Sequence, residues 1–94
     1  MKAVRVPIVA HEEVLKVKSA LGIVRLSRAD AARWLIDQGL HDDLKGGPLP
    51  RERETIRISE ELNERLETVA QVSMRSKSLI AAWAIENALR GLSS

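Results

Sequence analysis

The sequence predicts a mostly α-helical domain with a two-stranded antiparallel β-ribbon, built from two strand–helix–helix units in one chain. Three observations carry this reading. Residues 53–89 read as a short alternating strand, a helix, a turn and a second helix. Residues 1–40 follow the same plan through KAVRVP, IVAHEEVLKVKSALG and LSRADAARWLIDQGL. The landmarks also superimpose: Arg5 on Arg57, Val14 on Leu66 and Val17 on Val69 at an offset of 52, then Ser27 on Ser76 and Trp34 on Trp83 at an offset of 49. The first unit thus carries three extra residues near Gly22–Leu26. Any two helical hairpins look alike at low identity, but tryptophans at matching register favour a true repeat.

In the first unit, Ala3-Val4-Arg5-Val6 alternates and is β-branched, which predicts a half-buried strand with Val4 and Val6 on one side. Pro7 stops the ladder because it has no N–H to donate. Ala10, Val14, Val17 and Leu21 then fall on one helical face, and Gly22 suits a left-handed helix end. Ser27 begins the next helix as N-cap, and Asp30 three residues later resembles a capping box. Its stripe is Ala31, Trp34, Leu35 and Gln38, broadened by Ala32 and Ile36, and Gly39 suits its end. Residues 41–52, HDDLKGGPLPRE, read as a linker: Gly-Gly, two prolines and no periodicity. About 12 residues can span up to roughly 40 Å when extended.

The second unit, residues 53–94, is clearer. Ile56 and Ile58 point inward from the strand while Arg53, Thr55 and Arg57 point the other way. Ser59 is an N-cap candidate, and Glu60 and Glu61 suit the positive end of the helix that follows. Leu62, Leu66, Val69 and Ser73, with Ala70 beside them, form its stripe. Ser76 caps the last helix, whose apolar positions are Ile80, Trp83, Ala84, Ala88 and Leu89, with Gly91 as its C-terminal cap.

Composition narrows the function classes. The chain has 94 residues, 45% of them apolar, with no Phe, Tyr or Cys. The core must be aliphatic, anchored by Trp34 and Trp83. Without cysteine there is no disulfide framework and no thiolate chemistry, which fits a reducing, cytoplasmic setting. No apolar run approaches the roughly 18 residues of a membrane span, and the N-terminus does not read as a signal peptide. No membrane partner is expected. Net charge is +2, so a polyanion partner must be argued from where basic residues point. His11 and His41 lack companion ligands, so no metal site is expected. The glutamates Glu60, Glu61, Glu64 and Glu67 read as a solvated helix face. No phosphate loop, nucleophile elbow or zinc signature occurs, so no enzyme, cofactor or small-molecule ligand is expected.

The repeat supplies a mechanism. A lone short strand cannot satisfy its own backbone groups. Antiparallel pairing of residues 3–6 with 54–58 does so, and gathers Val4, Val6, Ile56 and Ile58 on one face under four helices. The opposite face carries Arg5, Arg53, Thr55 and Arg57. A two-stranded ribbon fits the major groove of B-DNA, where base edges carry a distinguishable donor and acceptor code. The plainer alternative is that Arg53 and Arg57 are solvated charges guarding a strand edge.

The stretch Thr55–Leu89 resembles the ribbon-helix-helix DNA-binding proteins of the Arc/MetJ/CopG type, through TIRIS, EEL, LETVA and RSKS. Residues 1–40 resemble a more divergent second member, through VRVP and LSRADAARWLIDQGL. The resemblance covers nearly the whole chain except the linker and implies a tandem, single-chain pseudo-dimer. It implies base contacts from Arg53, Thr55 and Arg57, and from the matching Met1, Ala3 and Arg5. It further implies phosphate contacts near Ser27 and Ser76, where free helix N–H groups form an anion site, with Arg28, Arg75 and Lys77 adding charge. The chain departs from the family at Met74, which stands where glycine is usual. The three-residue insertion leaves the first phosphate clamp the less secure one.

The function expected from this resemblance is sequence-specific binding of double-stranded DNA, as a small repressor acting by occupancy, with side-by-side association of several molecules open. The alternatives are an accessory factor of plasmid transfer or maintenance, and an antitoxin-type interaction module. Antitoxins of this family usually carry an added toxin-wrapping segment, and only Gly91–Ser94 follows the second unit here.

Overall fold

The computed structural model describes residues 2–93, so the expectation for Met1 lies outside the described residues. The order of elements is β1 (Lys2–Pro7), α1 (His11–Leu21), α2 (Arg28–Gly39), β2 (Arg53–Ile58), α3 (Glu60–Ser73) and α4 (Lys77–Ser93). The fold is mostly helical, with one two-stranded antiparallel sheet. Strand β1 runs one residue further at each end than the alternation of 3–6 suggests, because Lys2 and Pro7 still find partners in Ile58 and Arg53, while β2 spans the alternating stretch 53–58.

The ribbon's register pairs Ala3 with Arg57, Val4 with Ile56, Arg5 with Thr55 and Val6 with Glu54. Paired residues share a face, so the β-branched residues converge on one side. Val4, Val6, Ile56 and Ile58 are each no more than 4% exposed. Burying side chains of this size stabilises the fold by about 1.5–3 kcal/mol apiece, so a one-residue slip of either strand would turn both of its buried residues outward at once.

Helix α4 is the centre of the packing. Ile80 through Ile85 are all buried, and the helix packs against β1, α1, α2 and α3. Its alanines allow close approach, and the tightest crossing is with α2 at Gly39. A Cβ there would lie 2.7 Å from the Ala84 carbonyl carbon and 3.0 Å from the Ala88 nitrogen. Gly39 was expected to end α2 by conformation; its use is steric instead.

Three serines cap as expected. Ser27 Oγ accepts from the Asp30 N–H at 3.1 Å, Ser59 Oγ from the Leu62 N–H at 3.1 Å and Ser76 Oγ from the Leu79 N–H at 3.2 Å. Helix α1 has Ala10 at its N-cap and no side-chain cap hydrogen bond from it; the Glu13 carboxylate reaches back to accept the Ala10 N–H at 2.8 Å. Asp30 does not complete a reciprocal box, because its carboxylate pairs with Arg33.

The two inter-helix turns share one geometry. Gly22 has φ 67° and Met74 φ 56°, both left-handed. Behind them, Ile23 N–H donates to the Lys18 carbonyl and Arg75 N–H to the Ala70 carbonyl, the long-range bond of a Schellman ending. The three extra residues of the first unit therefore lie after this turn, before Ser27. Met74 is 90% exposed, so its side chain gains no packing in return for the Cβ strain. Met74→Gly is expected to stabilise the fold by about 0.5–1 kcal/mol, read as a raised denaturant midpoint at unchanged slope. A lowered midpoint would count against this account.

Three expectations need correction. Trp34 is only half-buried, at the core's edge rather than in it. Helical spacing of 3.6 residues per turn centres the buried stripe of α2 on Ala31, Ala32, Leu35, Ile36 and Gly39, which turns Trp34 aside and leaves Gln38 exposed. Leu21 is 40% exposed, since α1 ends there and its buried residues are Val14 and Val17. Gly91 lies inside α4, not at its cap. Within the linker 41–52, Leu44 is buried in the core and the Gly47 carbonyl accepts from Trp83 Nε1 of α4 at 2.8 Å. Among the described residues no helix is long and apolar enough to cross a membrane.

Candidate nucleic-acid interface

The face of the ribbon opposite the core is set by the same alternation that buries Val4 and Ile56. Ala3, Arg5, Thr55 and Arg57 are all exposed there. The register makes them a two-by-two block, Ala3 beside Arg57 and Arg5 beside Thr55. Cross-strand neighbours lie about 4.5–5.5 Å apart at Cα, and positions two apart along a strand roughly 6.6 Å. The two arginines therefore occupy diagonal corners. Among the described residues neither guanidinium is engaged by another side chain. Each keeps its planar fork of donors for an external acceptor.

Arg53 differs. It pairs with Pro7 at the end of the ribbon and is half-buried. Its Nε is withdrawn from solvent without a hydrogen-bond partner, as is Oε1 of the adjacent Glu54. The outward block thus has its charge concentrated in Arg5 and Arg57, with Arg53 drawn toward the protein body.

The residues expected to grip phosphate are brought to helix starts, but each already has work within the fold. The hydroxyls of Ser27 and Ser76 accept from their own helices. Arg28 stands 3.6 Å from the Glu54 carboxylate with 58% of its side chain exposed, which places the start of α2 beside the start of β2. Arg75 lies over the Trp83 ring, 5.9 Å from its centroid, a cation–π arrangement. Lys77 is the most committed. Its Nζ donates to Asn63 Oδ1 at 2.6 Å and lies 3.9 Å from Glu67. Asn63 is only 3% exposed and donates in turn to Glu67 at 3.1 Å. Withdrawing Lys77 would strand a buried amide oxygen, a cost of about 1–3 kcal/mol.

Two contacts made by α2, one to β2 and one to α3, were not legible in the sequence. Arg33, in the middle of α2, donates from Nε to the backbone carbonyl of Arg57 at 2.6 Å and from its terminal nitrogen to Asp30 at 2.5 Å. Arg65 of α3 pairs with the Asp37 carboxylate of α2. Periodicity marks such residues only as polar positions beside a stripe, because a partner some two dozen residues away leaves no local signal. Comparison with protein-family models, curated proteins and solved structures finds no match to this chain.

Proposed function

We propose that this chain is a sequence-specific double-stranded DNA-binding protein, a tandem ribbon-helix-helix pseudo-dimer whose β-ribbon enters the major groove, and that it represses by occupying its site. The observation that carries this reading is the exposed block Ala3, Arg5, Thr55 and Arg57, with two unpartnered guanidinium groups on a ribbon narrow enough for the groove.

The register adds a second line of support. Val4 and Ile56 correspond at the repeat offset of 52, and they are also paired with each other. The ribbon is thereby centred on equivalent residues, as in a two-fold dimer. Arg5 and Arg57 stand at equivalent positions on either side of this centre and would read equivalent base pairs in two half-sites. Ala3 and Thr55 differ: a methyl group suits the thymine methyl, whereas a hydroxyl can donate or accept. The target is then an imperfect palindrome, its asymmetry arising at the Ala3 and Thr55 contacts.

The test is selection from a random-sequence duplex library, comparing wild type with an Arg53/Thr55/Arg57 triple-alanine variant. An enriched motif in the wild type that is lost in the variant is the expected result. A folded wild type that enriches nothing would overturn the reading.

A further inference from the structure

We infer that Arg33 is a positioning residue for base reading: a latch from the first unit that fixes the backbone from which Arg57 projects. The inference rests on the proposed DNA-binding function, because it names how one reader of that site is held.

The geometry begins with the strand. A ribbon of two strands gives each strand a ladder on one side only, so its outer edge lacks the support a wider sheet provides. Arg33 compensates at one residue, donating from Nε to the Arg57 carbonyl at 2.6 Å. Its own orientation is set by Asp30, one turn earlier on α2, at 2.5 Å. An arginine fork held by a carboxylate has little rotamer freedom left, which makes it a stiff strut rather than a loose tether.

The strut belongs to a series along α2. Arg28 reaches Glu54 of β2, Arg33 reaches Arg57 of β2, and Asp37 reaches Arg65 of α3. Among the described residues, the positions of the other half that match this series do not repeat its pairs. At the repeat offsets, the residues matching Arg28, Arg33 and Asp37 are Lys77, Ala82 and Glu86; those matching Glu54, Arg57 and Arg65 are Lys2, Arg5 and Glu13. Two of those pairs are like-charged, and alanine cannot donate. Accordingly, Lys77 turns to Asn63 and Ala82 is simply buried. The strand carrying Arg57 is latched to the neighbouring unit's helix by Arg33; among the described residues the strand carrying Arg5 has no matching latch, because Ala82 stands at the equivalent position.

Positioning then has a directional consequence. Bidentate recognition of a base is sensitive to where the guanidinium starts, and a reader on a fixed backbone loses less freedom on binding. Arg57 is the preorganised reader and Arg5 the adaptable one.

The experiment compares wild type, Arg33→Ala, Arg33→Lys, Arg57→Ala and the Arg33→Ala/Arg57→Ala double variant in two measurements. The first is backbone 15N relaxation of the free protein. Arg33→Ala should lower the order parameters at Ile56–Ile58 while those at Val4–Val6 stay as in the wild type, and Arg33→Lys should behave like Arg33→Ala because lysine lacks the fork. Unchanged order at Ile56–Ile58 overturns the inference whether or not the chain binds DNA. The second is the affinity ratio for the selected duplex over a scrambled one. Arg33→Ala should lower that ratio about tenfold, with no further loss when added to Arg57→Ala. A loss equal on both duplexes, with a shallower salt dependence and recovery in Arg33→Lys, would make Arg33 a phosphate contact and overturn the positioning role. If the wild type selects no duplex at all, the proposed function fails, and the relaxation measurement alone still decides whether Arg33 holds the strand.

Discussion

Arg57→Ala is expected to cut discrimination between the selected duplex and a scrambled one by about 1–3 kcal/mol, the contribution of one good bidentate arginine–base pair. In affinity this is on the order of 5- to 150-fold, seen chiefly on the selected duplex. On the proposed function, binding to scrambled DNA would rest on phosphate contacts and should change little. Stability should stay within about 0.5 kcal/mol, because Arg57 is exposed and only its backbone carbonyl is used in the fold. The pattern is checked by titrating both duplexes at two salt concentrations. Equal losses on both would move Arg57 from base reading to general charge. Arg5→Ala should act in the same direction with a smaller effect, since among the described residues β1 has no strut equivalent to Arg33.

The ribbon was legible because its cause is local. Alternation with period two decides which side chains share a face, and hydrophobic burial then excludes every register shifted by an odd number of residues. Val4, Val6, Ile56 and Ile58 share a face in the observed register, which pairs Val4 with Ile56, and would equally share one with Val4 opposite Ile58, so the buried face was legible and the exact register was not. That Ala3, Arg5, Thr55 and Arg57 face outward follows from the same alternation; their two-by-two arrangement depends on the register. Serine caps were legible for the same reason, since Ser27, Ser59 and Ser76 act on N–H groups three residues away.

What escaped the sequence depends on distant partners. Trp34 and Trp83 look equivalent along the chain, but only Trp83 sits on a helix enclosed by its neighbours and by segment 41–52. Lys77 and Arg28 look like matching phosphate ligands, yet the buried Asn63 claims Lys77 while Glu54 takes Arg28 at a largely exposed position. Arg33 and Arg65 read as ordinary surface charges until the helices are packed. The common feature is asymmetry: both halves run strand, helix, helix, and the contacts between them do not repeat.

Gly39→Ala is expected to be the most damaging small substitution in the chain. The added Cβ would meet main-chain atoms of α4 at Ala84 and Ala88, and main chain within a helix cannot swing aside as a side-chain tip can. Helices α2 and α4 must separate, opening the packing around Leu35, Ile36 and Ala84, all fully buried. Overpacking of this kind costs about 3 kcal/mol at the upper end of its usual range, which for a domain of this size lowers Tm by on the order of 10–25 °C. Two further glycines separate sterics from conformation. Gly22 has φ 67° with open space around it, so Gly22→Ala should cost only the left-handed strain, about 1 kcal/mol. Gly47 has open space and no positive φ, so Gly47→Ala should be nearly neutral. The order Gly39, Gly22, Gly47 in thermal unfolding is therefore the expected result, and a Gly39→Ala protein as stable as Gly47→Ala would refute the close helix crossing. Because α2 also carries Arg28, Arg33 and Asp37, displacing it should loosen β2 as well. Gly39→Ala should then weaken discrimination on DNA even where the protein remains folded, through a residue far from any base.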